Sequence, residues 1–438
     1  MTEERPQRLR RELGLGGATM MGLGSMVGTG VFVSIGIAAG AAGPATVLAI
    51  ILAAFVAMGN ALSSAQLAAS HAVSGGTYEY GYRYLTPAFG FTAGWMFLCA
   101  KTASAATAAL GFAGYLLRLL GDGQSAMQWI ALGAIALFTV LVLAGLRRSS
   151  AMNIAIVSVT LLALFVFILA GFPSAIQGRD NFAPFFPDVN GSALHGFFYA
   201  TALMFVAYTG YARIATLGEE VKDPRKSIPR AIIITLSIAA ALYILIAAVA
   251  IGSVGAERFA GSAAEQATPL EAVAHSFDLP FVPELVAAGA ITAMLGVLLN
   301  LIIGLSRVLL AMGRQGDAPP LFARIAGDGR APASAVMLVG VAVGVLSLGG
   351  SLETTWAFSA FSVLIYYAIT NLAALRLPRE NRLYPRWIAV AGLSACLFLA
   401  FWVPPAIWLV GLALILAGLV WHMVVPHFWR APPTSKET

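Results

Sequence analysis

The sequence predicts an all-α protein that crosses a membrane many times. Three observations carry that prediction. Hydrophobic residues make up 59% of the 438 positions and charged residues only 11%, against roughly 25% charge in soluble domains. The apolar residues gather into repeated runs of about 20, the length of helix that spans the hydrocarbon core of a bilayer. The lysines and arginines fall almost entirely in segments at alternate ends of those runs.

Taken in order, residues 1–16 form a basic leader with Arg5, Arg8, Arg10 and Arg11. Twelve spans follow, at 17–42, 44–69, 88–120, 127–146, 150–172, 192–217, 230–253, 283–312, 333–349, 354–376, 387–402 and 405–425. Residues 426–438 form a short tail. With the N-terminus inside, 21 of the 26 lysines and arginines lie on inner segments and 3 on outer ones (Arg118, Arg179, Arg258). The other two, Lys101 and Arg213, lie inside or at the end of spans. Positive charge marks the cytoplasmic face, so both termini are expected in the cytoplasm of a protein of the cell (plasma or inner) membrane. The same distribution accounts for the net charge of +6 without nucleic acid. The first apolar run is glycine-rich, long and followed by more spans, so it does not read as a cleavable signal.

Several chemistries are not expected. Cys99 and Cys396 both fall within spans, which argues against a disulfide framework. The five histidines have no metal-ligand spacing; His71 and His275 lie near loops, where a pH response is one use for them. There is no phosphate-binding loop and no nucleophile–base arrangement, so neither a cofactor nor an enzymatic activity is expected.

Two spans are interrupted. The first contains Gly22-Leu-Gly-Ser-Met-Val-Gly-Thr-Gly-Val-Phe32, with Gly22, Gly24, Gly28 and Gly30 within nine residues. Glycine weakens a helix by about 1 kcal/mol relative to alanine. In lipid, unwound backbone survives only where it lines a cavity or is buried in protein. The stretch is therefore either a broken helix facing a polar ligand or a seam of small residues between helices. A second interruption, Phe205-Val-Ala-Tyr-Thr-Gly-Tyr211, falls in the sixth span. Two five-span halves, residues 17–172 and 192–376, would then be inverted relative to each other, with spans 11 and 12 (387–425) outside the repeat. Inverted repeats with one broken helix each characterise a large group of transporters.

These stretches also carry a resemblance. Gly24-Ser-Met-Val-Gly-Thr-Gly-Val-Phe32, Val73-Ser-Gly-Gly-Thr-Tyr-Glu-Tyr80, the run from Phe205 through Glu219-Glu220 to Arg230, and Ser306-Arg-Val-Leu-Leu-Ala-Met-Gly-Arg-Gln-Gly-Asp317 with Pro320 occur in order. Together they resemble the signatures of the amino acid–polyamine–organocation transporters, toward the bacterial L-type and cationic branches. The resemblance implies the LeuT-type fold, a five-plus-five inverted repeat with spans 1 and 6 broken. It implies a secondary transporter of an α-amino acid, a symporter with H⁺ or Na⁺ or an exchanger, working as a monomer or weak homo-oligomer in the lipid bilayer.

By that resemblance Gly28, Thr29, Gly30 and the Val31 amide surround the substrate carboxylate. Carbonyls near Ser25 and Met26, and those of Ala207, Tyr208 and Gly210 beside Thr209, take the ammonium. A helix N-terminus carries about half a positive charge, which suits the first role. Tyr208 is either the aromatic that caps the substrate or a packed core tyrosine. Lys101 sits mid-span, where a lysine costs about 2.5–3.5 kcal/mol on insertion scales. It is a fixed charge, a proton carrier or a structural lysine bonded to a neighbouring span. Span 5 lacks the lysine of some proton-coupled members, and Ser158 and Thr160 lie near its place. Ala212 stands where many members have an acid, followed by Arg213. Glu219 and Glu220 are gate candidates or part of a cytoplasmic salt-bridge network. Asn60, Gln66, Asn153 and Asn300 read as interhelical hydrogen-bonding residues.

With no carboxylate in these stretches, a neutral amino acid is the expected substrate. Lys101 and Arg213 add positive charge, which makes an anionic amino acid a lesser alternative, with cationic amino acids, polyamines or other organocations after it. A binding sensor or a channel is the alternative of another class. The charge distribution makes its own prediction: a fluorescent protein fused after Thr438 will fluoresce and alkaline phosphatase fused there will be inactive, and the reverse pattern overturns the orientation.

Overall fold

The computed structural model describes residues 14–71, 75–121, 126–146, 150–188, 192–215, 221, 223–324 and 332–424. Its regular elements are helices. In order they are α1 (Leu15–Met26), a π-helical turn (Gly30–Ser34), α2 (Ile35–Ala42), α3 (Thr46–Ser70), α4 (Thr77–Tyr84), α5 (Pro87–Leu120), α6 (Met127–Leu143) and α7 (Ser150–Gln177). Then come α8 (Ala193–Tyr208), a 3-10 turn (Thr209–Tyr211), α9 (Ala212–Ala215), α10 (Pro224–Val254), α11 (Ala256–Gln266), α12 (Pro269–His275) and α13 (Val282–Gln315). The chain ends in α14 (Ala333–Gly349), α15 (Leu352–Leu375), α16 (Arg386–Ala400) and α17 (Pro405–Val424).

Seven helical stretches among the described residues are long and apolar enough to cross a membrane, and α6, α14 and α16 are shorter apolar helices. One of the seven runs from Gly30 to Ser70, yet it contains a corner. Gly43 has φ +58° and is followed by Pro44, which ends α2 and starts α3 on a new axis. Sequence and structure differ most at two ends. Helix α7 runs to Gln177, past the expected 172, with Pro173 inside it. Helix α10 starts at Pro224 rather than at 230, with Pro229 inside it. A proline at the first helical position loses no hydrogen bond, because that amide has no partner in any helix.

Helices α5 and α15 form the middle of the bundle. Small residues line α5 (Ala100, Ala103, Ala105, Ala106, Ala109 and Ala113 are all fully buried) and let its neighbours approach closely. Helix α17 lies at the rim, and its Leu409, Val410, Leu416 and Val420 are more than half exposed. An apolar face of this kind suits contact with hydrocarbon. Cys99 and Cys396 are free thiols. The polar residues marked inside spans mostly pair with other helices. Asn371 Nδ2 donates to Asn60 Oδ1, Asn60 Nδ2 donates to Cys396 Sγ at 3.1 Å, and Gln66 Oε1 accepts from the Tyr384 amide.

At one end of the bundle a buried carboxylate gathers three elements. Asp317, which follows α13, accepts from the Tyr78 hydroxyl at 2.7 Å and the Tyr82 hydroxyl at 2.5 Å, both on α4. On α17, His422 Nδ1 lies 3.3 Å from the carboxylate and Trp421 Nε1 donates to the Asp317 carbonyl at 2.9 Å. Burial, and then the Asp317 charge, push the Tyr78 hydroxyl far above the usual tyrosine range, so it stays a donor. Helix α4 is also held to α15 by the Thr77–Thr370 hydroxyl pair at 2.7 Å. Hydrogen bonds to a charged acceptor contribute about 1.5–3 kcal/mol each. Asp317→Asn will therefore lower the thermal midpoint of the detergent-solubilised protein by several degrees, and Tyr82→Phe by less.

Candidate functional site

The two sequence interruptions meet in the structure. Helix α1 ends at Met26, Val27 is extended, and helical geometry resumes in the π-helical turn from Gly30. Helix α8 ends at Tyr208 and tightens into the 3-10 turn. A Cβ placed on Gly30 would lie 2.5 Å from Ala207 Cβ, and one placed on Gly210 would lie 2.4 Å from the Ser25 carbonyl oxygen. No side chain fits at either position, so the two backbones are in direct contact.

Three neighbouring helices each send one polar group to this crossing. From α10, the Tyr243 hydroxyl lies 2.8 Å from the Met26 carbonyl and 3.3 Å from that of Ala207, bridging the end of α1 to that of α8. From α5, Lys101 Nζ donates to Thr209 Oγ1 at 2.9 Å. The Tyr367 hydroxyl of α15 donates to the Thr209 carbonyl at 3.3 Å. On the far side of α8, the Tyr208 hydroxyl donates to the Ile50 carbonyl of α3 at 3.3 Å. The Tyr208 and Tyr243 rings lie 5.1 Å apart. Thr29 is buried, and among the described residues its hydroxyl has no hydrogen-bond partner. A buried polar atom left unpaired at a backbone break is a natural place for a ligand or water.

Several sequence expectations fall on these residues, and some change. Met26, Thr29, Gly30, Ala207, Thr209 and Gly210 come together. Ser25 lies beside them, its hydroxyl turned back to the Met21 carbonyl at 3.0 Å. Gly28 instead abuts Val297 of α13, whose Cγ2 would lie 2.6 Å from a Cβ there. The Val31 amide donates to the Gly28 carbonyl at 3.1 Å, so it is engaged within the chain. Tyr208 is fully buried and holds the packed arrangement. Lys101 is partly exposed and makes no ion pair among the described residues. Arg213 is half-buried on α9.

Ser158 and Thr160 do not act together. Thr160 is buried and its hydroxyl bonds the Ile156 carbonyl at 2.8 Å, whereas Ser158 is exposed. Residues two apart on a helix point to opposite sides, so Ser158 is removed from any shared cation site. From the same helix it is Asn153 that reaches α1, donating to the Met20 carbonyl at 3.0 Å. Glu219 and Glu220 lie outside the described residues, as do Val73 and Ser74 of the loop motif. Sequence reasoning missed Tyr243 altogether. The available signal was a tyrosine in the middle of the apolar run 230–253.

Comparison with known proteins gives a consistent picture. A protein-family model described as amino acid permease matches residues 17–434. An uncharacterized transporter of Mycobacterium tuberculosis is 38% identical over 400 residues, covering 91% of this chain and 88% of that protein. The branched-chain amino acid permease of Bacillus subtilis is 27% identical, covering 89% of this chain and 88% of its own. Human cationic amino acid transporter 4 is 30% identical over 85% of this chain and 61% of its own.

The Tyr243 bridge can be tested without knowledge of a ligand. Tyr243→Phe leaves two buried carbonyls without their donor, a loss of about 1–3 kcal/mol. The thermal midpoint will fall by several degrees, while Tyr384→Phe, outside the crossing, will leave it unchanged.

Proposed function

The chain belongs to the amino acid permease family of membrane transporters, and from that premise we propose that it carries a neutral α-amino acid across the cell membrane by alternating access. Its family and relatives are transporters, not enzymes. The observation that carries the reading is the direct contact of the two interrupted helices at Gly30, Ala207, Gly210 and Ser25, beside the unpaired Thr29 hydroxyl. Helix ends offer partial positive charge at one side of a break and partial negative charge at the other. A zwitterion matches that polarity, with its carboxylate toward Thr29 and Gly30 and its ammonium toward the Met26 and Ala207 carbonyls. Tyr243 donates to those same carbonyls, so the ammonium takes over a position that this hydroxyl holds.

In this reading the chain makes twelve crossings in a LeuT-type five-plus-five inverted repeat, residues 17–172 and 192–376. Residues 387–425 lie outside the repeat, and residues 1–16 and 426–438 face the cytoplasm. Helices α1–α3 and α8–α10 rock against α5, α6, α13 and α14. Tyr208 is the gate in its closed position. Lys101 couples a proton to the movement, because its ammonium holds Thr209 in the break of α8 without a carboxylate partner among the described residues. Among the residues gathered at the crossing none is acidic, which favours a neutral substrate over a cationic one.

Reconstitution into liposomes tests this reading. Labelled neutral amino acids will show saturable uptake driven by an inward proton gradient, and Lys101→Ala will lose the gradient dependence. Uptake confined to arginine or polyamines overturns the neutral assignment. Unsaturable flux makes the protein a channel, and binding without flux makes it a sensor.

A further inference from the structure

We infer that the turn between α15 and α16 holds the headgroup of an anionic phospholipid, with the phosphate against Arg379, Arg382 and Arg386 and an acyl chain along the exposed face of α16. The inference goes beyond the transport reading and needs only that these helices stand in a bilayer.

Arg376, Arg379, Arg382 and Arg386 fall within eleven residues, on a backbone that is held in place. Helix α15 ends at Leu375, a 3-10 turn runs over Arg379–Asn381, and α16 starts at Arg386. Leu377 is fully buried in a small cluster with Leu67 of α3 and Tyr80 of α4, and the Tyr384 amide donates to Gln66 Oε1 at 3.4 Å. Two of the arginines turn back on the end of α15. Arg382 Nη2 donates to the Leu377 carbonyl at 2.5 Å, and Arg386 Nη2 donates to the Leu375 carbonyl at 3.4 Å. The carbonyl end of a helix attracts cations, which explains why these two gather there. Each spends one donor of a group that has five.

The cluster lacks an anion. Among the described residues none of the four arginines makes an ion pair with a carboxylate, not even with Glu380 in the same turn as Arg379. Partial burial, and then the Arg386 and Arg379 charges, hold the Arg382 guanidinium below the usual arginine range. The three guanidiniums therefore repel one another. Arg382 Nε is buried and has no hydrogen-bond partner among the described residues. A buried donor left unpaired among like charges calls for an acceptor that is itself negative. Phosphate oxygens match guanidinium geometry through paired hydrogen bonds.

The surface beside the arginines says which phosphate. Leu383 and Trp387 are 46% and 68% exposed, and Val390, Phe398 and Phe401 continue the exposed face along α16. At 3.6 residues per turn, Trp387, Val390, Phe398 and Phe401 lie within about 80° of one another and span about 21 Å. That is more than the depth of one leaflet in a hydrocarbon core about 30 Å thick. Tryptophan favours the membrane–water interface, and Trp387 stands next to Arg386. A free anion would use the arginines and leave the apolar face unused, whereas a phospholipid uses both. On the proposed topology this end is cytoplasmic, where the leaflet carries anionic lipids.

Native mass spectrometry of the purified full-length protein in detergent, titrated with phosphatidylglycerol or with phosphatidylcholine of the same chains, tests the site. The wild type will bind the first phosphatidylglycerol about tenfold more tightly than phosphatidylcholine. Arg379→Gln with Arg382→Gln will erase that preference. Arg379→Gln alone, at an exposed position, will reduce it about threefold. Arg314→Gln with Arg324→Gln removes the same charge from exposed arginines on another inner segment and will keep the preference. Equal affinity for the two lipids in the wild type, a preference that survives the double substitution, or an equal loss in the Arg314 and Arg324 control overturns the site. Displacement of the lipid by millimolar inorganic phosphate overturns the lipid in favour of a soluble anion. No amino acid enters the measurement, so its failure is distinct from failure of the transport reading.

Discussion

The structure depends on one crossing, where the backbone of α1 and its continuation touches the backbone of α8. Gly30 meets Ala207 and Gly210 meets the Ser25 carbonyl at distances that exclude any side chain. Interrupted backbone exposes carbonyls that no helix satisfies, and in apolar surroundings each unsatisfied group costs several kcal/mol. The surrounding helices are placed accordingly. Tyr243, Lys101 and Tyr367 bring a donor to the crossing from α10, α5 and α15. Tyr208 reaches outward to tie α8 to α3. The bundle is thus a shell of polar handles around two broken helices, and apolar packing fills the space between the handles.

Much of this was legible in the sequence because it rests on backbone chemistry that glycine announces. The cluster at Gly22–Gly30 and the single Gly210 mark the two interruptions, and apolar run length marks the helices. The fine position of each break was not legible. The first opens at Val27, where a residue with no special propensity turns extended, and the second is a tightening to 3-10 geometry rather than full unwinding. Partners across the fold were also hidden. Tyr243 sits 217 residues from Met26, and nothing local distinguishes a bridging tyrosine from a packed one. Ser158 misled for a related reason: proximity in sequence to Thr160 is separation around a helix.

The two ends of the bundle are fastened differently, and the difference is physical. At one end Asp317 is almost fully buried and gathers Tyr78, Tyr82 and His422, with Trp421 on its carbonyl. Removing any one partner leaves the others around a carboxylate that cannot be exposed to water without disrupting three elements, so α4 is fixed to α13, α15 and α17. At the other end Arg118 and His275 are half exposed and Glu271 alone is buried. The first fastening suits a rigid scaffold.

Charge carries the reading of the centre one step further. Lys101 reaches Thr209 with a hydroxyl as its partner and, among the described residues, no carboxylate in an ion pair with it. An uncompensated ammonium in a low-dielectric site repels another cation over several ångströms, so a ligand whose side chain carries positive charge would meet that repulsion in addition to lacking a counter-ion. A zwitterion with an uncharged side chain does not. Its two charges lie within one small group and would be met by the half-charges of the helix ends. Deprotonation of Lys101 would remove the repulsion and weaken its hold on Thr209 together. In the proposed transporter, therefore, a single proton alters both the electrostatics of the site and the anchoring of the break in α8.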